Sequence, residues 1–218
     1  MSSFRLGAAA LAVLILIHPV AATGGEATAT VAEVWAAYTA RWSSLAGYSA
    51  PFNQRIEVEG IGVPVLSSGH FYFSSPDRMR WDYTEGGRQT VVGDGRWLWV
   101  YQPELEQAYR LDYEAAFGAG GLVALIGDPG RLEEHYRLGL GKTEGGRVSL
   151  ELKARDVGAP VVGITLVLDA DSYDIRRLAV ADAGGSVTEI EFGPAERGSA
   201  LDDALFVFSA PAGTDIIE

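Results

Sequence analysis

Few residues in this 218-residue chain could do chemistry, and their spacing suits none of the common reactions. Of its three histidines, His18 falls in an apolar leader, while His70 and His135 stand in no nucleophile or metal motif. The chain has no G-x-S-x-G elbow, no H-E-x-x-H pair and no cysteine, so activated-serine, zinc-hydrolase and thiol chemistry each lack their central part. Asp169, Asp171 and Asp174 resemble a calcium loop only superficially, because the glycine and distal glutamate of such a loop are missing; a solvated hairpin turn fits better. Gly118, Gly120 and Gly121 do not follow a strand in a β-α-β unit, so no phosphate cradle is expected. No catalytic residue, metal or cofactor is assigned.

What remains is aromatic. Phe71 and Phe73, then Met79, Trp81 and Tyr83, then Trp97, Trp99 and Tyr101 recur at steps of two. In a strand that spacing places each set on one face. Such faces form either a packed core under a helix or a cavity for an apolar ligand, and composition alone does not choose. His70 alternates with Phe71 and Phe73 and is expected to face outward.

The elements that must position these residues follow from periodicity. Thr30-Val31-Ala32-Glu33 has capping-box spacing, and Val31, Val34, Trp35, Tyr38, Trp42 and Leu45 form one apolar stripe of a helix running to about residue 45. From Tyr48 onward the period becomes two. Strands are predicted at 49–59, 68–74, 79–84, 89–93, 97–102 and 107–111, then at 135–140, 148–154, 161–168, 175–181, 187–192 and 206–208. The gap at 113–130 reads as short helices, with Leu122, Val123, Leu125 and Ile126 too apolar for a solvated loop. So long an array of hairpins curls into a barrel or strongly curved sheet.

The first residues predict export. Arg5 precedes an apolar run at 6–17 and then the small residues Val20, Ala21 and Ala22, the pattern of a cleavable signal peptide cut after Ala22. The 12-residue run is short of the roughly 20 that a spanning helix needs. Residues 1–22 are therefore read as leader and 23–218 as one domain. Without Arg5, 16 basic residues face 29 acidic ones, a formal charge of -13. That surface repels nucleic acid and anionic lipid alike. A chain without cysteine must also rely on its core rather than on disulfides, and carries no N-terminal lipid anchor of its own.

The ordered motifs resemble a known family. Gly69-His70-Phe71-Tyr72-Phe73, Pro76 and Arg80-Trp81-Asp82-Tyr83 look like the "G-x-F-x-F…P…R-W-x-Y" run of LolA-type periplasmic lipoprotein carriers. Asp94-Gly95-Arg96-Trp97-Leu98-Trp99-Val100-Tyr101, with Glu106-Gln107 after it, is similar to the family's "D-G-x-x-L-W-x-Y" strand. Leu201-Asp202-Asp203-Ala204-Leu205-Phe206-Val207-Phe208, with Pro211 and Gly213, resembles its closing segment. The resemblance implies a mainly β fold with a few helices: an unclosed antiparallel β-barrel of about eleven strands covered by helices, the LolA/LppX-like arrangement. It also implies a periplasmic, monomeric, noncatalytic chaperone. Such a carrier accepts acylated lipoproteins from an inner-membrane lipoprotein-releasing ABC transporter and passes them to an outer-membrane receptor.

By position, Phe71, Phe73, Met79, Trp81, Tyr83, Trp99 and Tyr101 would line the acyl-chain cavity, with Leu122, Val123, Leu125 and Ile126 as its lid. Family members often carry an arginine just before Pro76, implicated in cargo transfer; here that position is Ser75. Arg80 lies nearby and is the candidate for that role. Carriage of another lipid, such as a glycolipid, hopanoid-like lipid or phospholipid, and noncatalytic sensing of lipids or lipoproteins are the alternatives.

Overall fold

Thr30 opens the first helix as its spacing predicts. Its hydroxyl accepts the Glu33 N–H at 3.3 Å, and the Glu33 carboxylate accepts the Thr30 N–H at 2.8 Å. The bond from the Thr30 backbone and, after it, one the Thr30 hydroxyl donates to the same carboxylate at 2.8 Å hold the Glu33 carboxyl below the ordinary carboxylate range. In the computed structural model, which describes residues 29–113, 116 and 129–218, the helix α1 spans Val31–Ser43 and buries Val34, Trp35, Tyr38 and Trp42.

Behind it the period-two segments become strands. β1 (Gly47–Glu57), β2 (Val65–Ser74), β3 (Arg78–Glu85), β4 (Gln89–Gly93), β5 (Trp97–Gln102) and β6 (Gln107–Asp112) form one meander. A four-residue helix, α2 (Leu132–His135), precedes a second: β7 (Tyr136–Glu144), β8 (Arg147–Ala154), β9 (Val161–Asp169), β10 (Ile175–Asp182) and β11 (Val187–Phe192). The short strands β12 (Glu196–Arg197) and β13 (Asp215–Ile217) follow. Gly145 and Gly146, both with positive φ, make the tight β7–β8 turn that other residues enter only under strain.

All thirteen strands join one sheet, in the order β13-β6-β5-β4-β3-β2-β1-β11-β10-β9-β8-β7, with β12 on β1. Every pairing is antiparallel except β13 on β6. Among the described residues nothing pairs β7 with β13, so the sheet remains open, as expected of the unclosed barrel. Residues 1–22, expected to form a leader, lie outside the described residues.

One core fills the face that carries α1. Cross-strand partners Phe52 and Phe192, Ile190 and Leu178, Leu166 and Leu150 continue it across both meanders, and Trp42 meets Tyr48 and Phe73 with ring centroids 5.0 and 6.1 Å apart. An ion cluster ties the helix down. The carboxylate of Asp174, in the β9–β10 turn and 1% exposed, lies 3.6 Å from Arg41 Nε of α1 and pairs with Arg197 of β12.

The expected strand at 206–208 is corrected. Asp203–Phe206 is a 3-10 turn opened by the Asp202 carboxylate, which accepts the Ala204 N–H at 2.9 Å. The segment then crosses the outer face of β3 to β6, held by side chains rather than a ladder. Arg78 covers the Phe206 ring at 5.2 Å, and Phe208 packs on Trp99 and Tyr101 at 5.0 and 5.6 Å. Two outer-face residues of these strands, Val92 and Ala108, are fully buried. This segment is therefore part of the fold. Phe206→Ala should lower stability by about 3 kcal/mol, as for other buried phenylalanine truncations; an unchanged thermal midpoint would show that the segment is a detachable tail.

Candidate functional site

The inner face of the first meander is built by register. Phe52 stands opposite Gly69, Phe71 opposite Trp81, Phe73 opposite Met79, and Met79 opposite Gly93. Inward positions then continue through Val91, Val100 and Tyr109, and through Leu98 and Leu111. Every inward position of β1 to β6 is uncharged, whereas Arg55, Glu57, Arg80, Asp82, Arg110 and Asp112 of the same strands face outward. Such a surface offers apolar contact. Among the described residues, no group of three histidine, aspartate or glutamate side chains is placed to hold a metal ion.

Depth varies along this face. Near α1 the rings interlock: Trp81 lies 4.3 Å from Phe71, 5.0 Å from Phe52 and 6.1 Å from Phe192. Gly69 permits this packing, since a Cβ there would meet the Asp82 carbonyl at 1.9 Å and the Phe52 ring at 3.0 Å. Gly93 likewise makes room for the Tyr113 ring, which a Cβ would meet at 2.7 Å. Across the sheet toward β6, in the same cross-strand rows, Val91, Val100 and Tyr109 are only half-buried, and Leu111 is 44% exposed.

The structure brings Phe71, Phe73, Met79, Trp81 and Tyr83 to this face, as their alternation predicts. It corrects Trp99 and Tyr101. Their partners are Val92 and Thr90, which face outward with Arg80 and Asp82, so both rings lie on the outer face under Phe208. The run Trp97-Leu98-Trp99-Val100-Tyr101 is apolar at both parities, and ring size favoured the wrong one. Leu98 and Val100 are the inward members. Arg80 is corrected too: it faces outward, donates to Asp82 Oδ2 at 2.8 Å and to the Leu205 carbonyl at 3.1 Å, and so anchors the C-terminal segment. His70 faces outward beside Tyr72, as expected. Leu122, Val123, Leu125 and Ile126 lie outside the described residues.

The sequence matches the model of the family "Outer membrane lipoprotein carrier protein LolA" over residues 43–209. It is also 33% identical over 214 residues, 98% of this chain and 95% of the relative, to the outer-membrane lipoprotein carrier protein of Alkalilimnicola ehrlichii. The chain belongs to the LolA family. A second LolA-family relative, the outer-membrane lipoprotein carrier protein of Dechloromonas aromatica, is 34% identical over 170 residues, 77% of this chain and 79% of its own. In fold, the chain is similar to the crystal structure of an uncharacterized conserved protein from Thermus thermophilus, with a TM-score of 0.54 and 13% identity over 85% of this chain and 97% of that one.

In this LolA-family chain the inner face ends in a cleft of about 370 Å³ on the side away from α1, lined in part by Gln54, Ile56, Ser67, Tyr83, Gln89 and Gln102. Tyr83 donates its hydroxyl to Gln54 Oε1 at 3.0 Å. Burial pushes the Tyr83 phenol up to about 12 although a hydrogen bond with Gln89 pulls it down, so the hydroxyl is neutral at physiological pH. The sequence reading missed this cleft, because the period-two pattern was followed only for large apolar side chains.

Proposed function

We propose that the protein is a periplasmic chaperone that binds the acyl chains of lipoproteins on its inner face and shuttles them across the aqueous compartment without catalysis. The reading rests on one observation: the uncharged, aromatic-floored inner face of an open sheet in a chain of the LolA family. Relatives are named outer-membrane lipoprotein carrier proteins, which supports lipoproteins as cargo. An inner-membrane lipoprotein-releasing ABC transporter as donor and an outer-membrane receptor as acceptor complete the proposal. The signal-peptide pattern at 1–22 supports export to the periplasm.

Physical chemistry makes such an escort necessary. At about 0.8 kcal/mol per methylene, a 16-carbon chain costs roughly 12 kcal/mol in water. A carrier must shield that surface and still let it go, so a face with a packed floor and half-buried upper positions suits the task better than a sealed cavity. Phe71, Phe73, Met79 and Trp81 would form the floor of the binding face, and Val91, Val100 and Leu111 the upper contact surface.

The deciding experiment is mass spectrometry of material co-purified with the exported protein, beside Val100→Glu. Val100 is half-buried and faces inward, so a carboxylate there is tolerated by the fold and opposes an acyl chain. Triacylated lipoproteins on the wild type, reduced at least tenfold on a folded Val100→Glu variant, are the expected result. A single lipid class without lipoprotein would replace the cargo assignment, and equal loading of both proteins would overturn the binding face.

A further inference from the structure

The chain contains four glutamines, Gln54, Gln89, Gln102 and Gln107, and all four stand at inward positions on four strands at one end of the sheet. Gln102 is the cross-strand partner of Gln107, and Gln54, Gln89 and Gln102 line the same cleft. Tyr83 and Ser67 complete the set, Tyr83 through its bond to Gln54. Arg88 and Glu104 also border the cleft.

The choice of amides is informative. This chain has 29 acidic and 17 basic residues, and the outward positions of the same strands carry Arg55, Glu57, Arg110 and Asp112 where the inward ones carry no charge. A rim that merely meets water would follow that habit. A primary amide instead offers two N–H donors and a carbonyl acceptor with no net charge, so it can be desolvated against a neutral polar ligand at far lower cost than an ion. Ester carbonyls only accept hydrogen bonds; an amide linkage both donates and accepts. A belt of amides next to an apolar floor matches a ligand whose apolar chains end in neutral ester and amide linkages.

We infer that the four glutamines, with Tyr83 and Ser67, form a subsite for the ester and amide linkages at the head of the acyl chains, holding the chains in register on the aromatic floor. The inference rests on the acyl-carrier reading and deepens it: the aromatic floor binds the hydrocarbon, and the amide belt recognises how that hydrocarbon is joined to its head.

The test is calorimetric titration of the purified protein with a soluble probe, an N-octanoyl, S-(dioctanoylglyceryl)cysteine peptide, and with its analogue in which the two ester carbonyls are replaced by ether methylenes. The ester probe is expected to bind about tenfold more tightly, the effect of one to two hydrogen bonds. In Gln89→Leu/Gln102→Leu the two probes should bind alike, with the ether affinity kept. Equal affinities on the wild type would overturn the amide subsite and leave the carrier reading standing. Failure of both probes to bind would overturn the carrier reading, and the subsite with it. If the double variant does not fold, the ester-to-ether ratio on the wild type decides alone.

Discussion

Arg41→Met combined with Arg197→Met is expected to lower the thermal midpoint by about 10 °C, the largest effect of any surface-accessible change in this protein. Both arginines still reach solvent, whereas the Asp174 carboxylate between them is 1% exposed. Their removal strands a buried negative charge, which typically costs about 3–5 kcal/mol; in a domain of this size each kcal/mol shifts the midpoint by about 2–4 °C. Asp174→Asn should cost less, because the two cations it releases can turn toward water. Adding Asp174→Leu to the double arginine variant should recover most of the loss, since an apolar replacement of the whole cluster leaves no charge unpaired. Scanning calorimetry of the four proteins checks this ordering. A double arginine variant as stable as the wild type would mean that Asp174 does not depend on its two partners.

Trp81→Ala should be nearly as damaging, and Trp99→Ala should not. Trp81 is buried among Phe52, Phe71 and Phe192 at the floor of the inner face, so truncation leaves a cavity walled by rings, a loss of about 3–5 kcal/mol. Trp99 is half-buried on the other side of the sheet, between Phe208 and the Arg110 guanidinium and outside the main core. Its truncation is expected to cost about 1–2 kcal/mol and to leave binding of an acylated probe unchanged. Chemical denaturation measures the first pair of values, and probe titration at a temperature where both variants are folded measures the second. Loss of probe binding in Trp99→Ala would contradict the face assigned here by strand register.

The same contrast shows how much of the site was legible. Phe71, Phe73, Met79, Trp81 and Tyr83 could be grouped because alternation within a strand depends only on the pleat, which any extended backbone has. Trp99 and Tyr101 could be grouped with each other for the same reason. Their side of the sheet could not be read, because Leu98 and Val100 made an equally apolar alternative and the decision fell to the β4–β5 register, Gly93 opposite Leu98. Arg80 failed similarly: proximity in sequence to Ser75 suggested a role at the cargo face, but its parity sends it outward to Asp82 and the Leu205 carbonyl. The belt of glutamines was invisible at first reading, since its members lie on four strands and acquire a common neighbourhood only when β1, β4, β5 and β6 are in register.

By itself, the sequence determined the local features: the capping box that starts α1, the change of period at Tyr48, the turn residues that separate the strands, the acidic balance, and the ordered motifs that belong to the LolA family. Each depends on chemistry within a few residues or on the chain as a whole. Tertiary structure alone decided which parity of each strand faces inward, that the C-terminal segment seals the outer face through Phe206 and Phe208, and that Asp174 bridges α1 to β12. The physical reason is common to all three. A pleat fixes the relation between neighbours on one strand, but the identity of the buried face depends on cross-strand register and on what packs over each side, and those partners come from positions far apart along the chain.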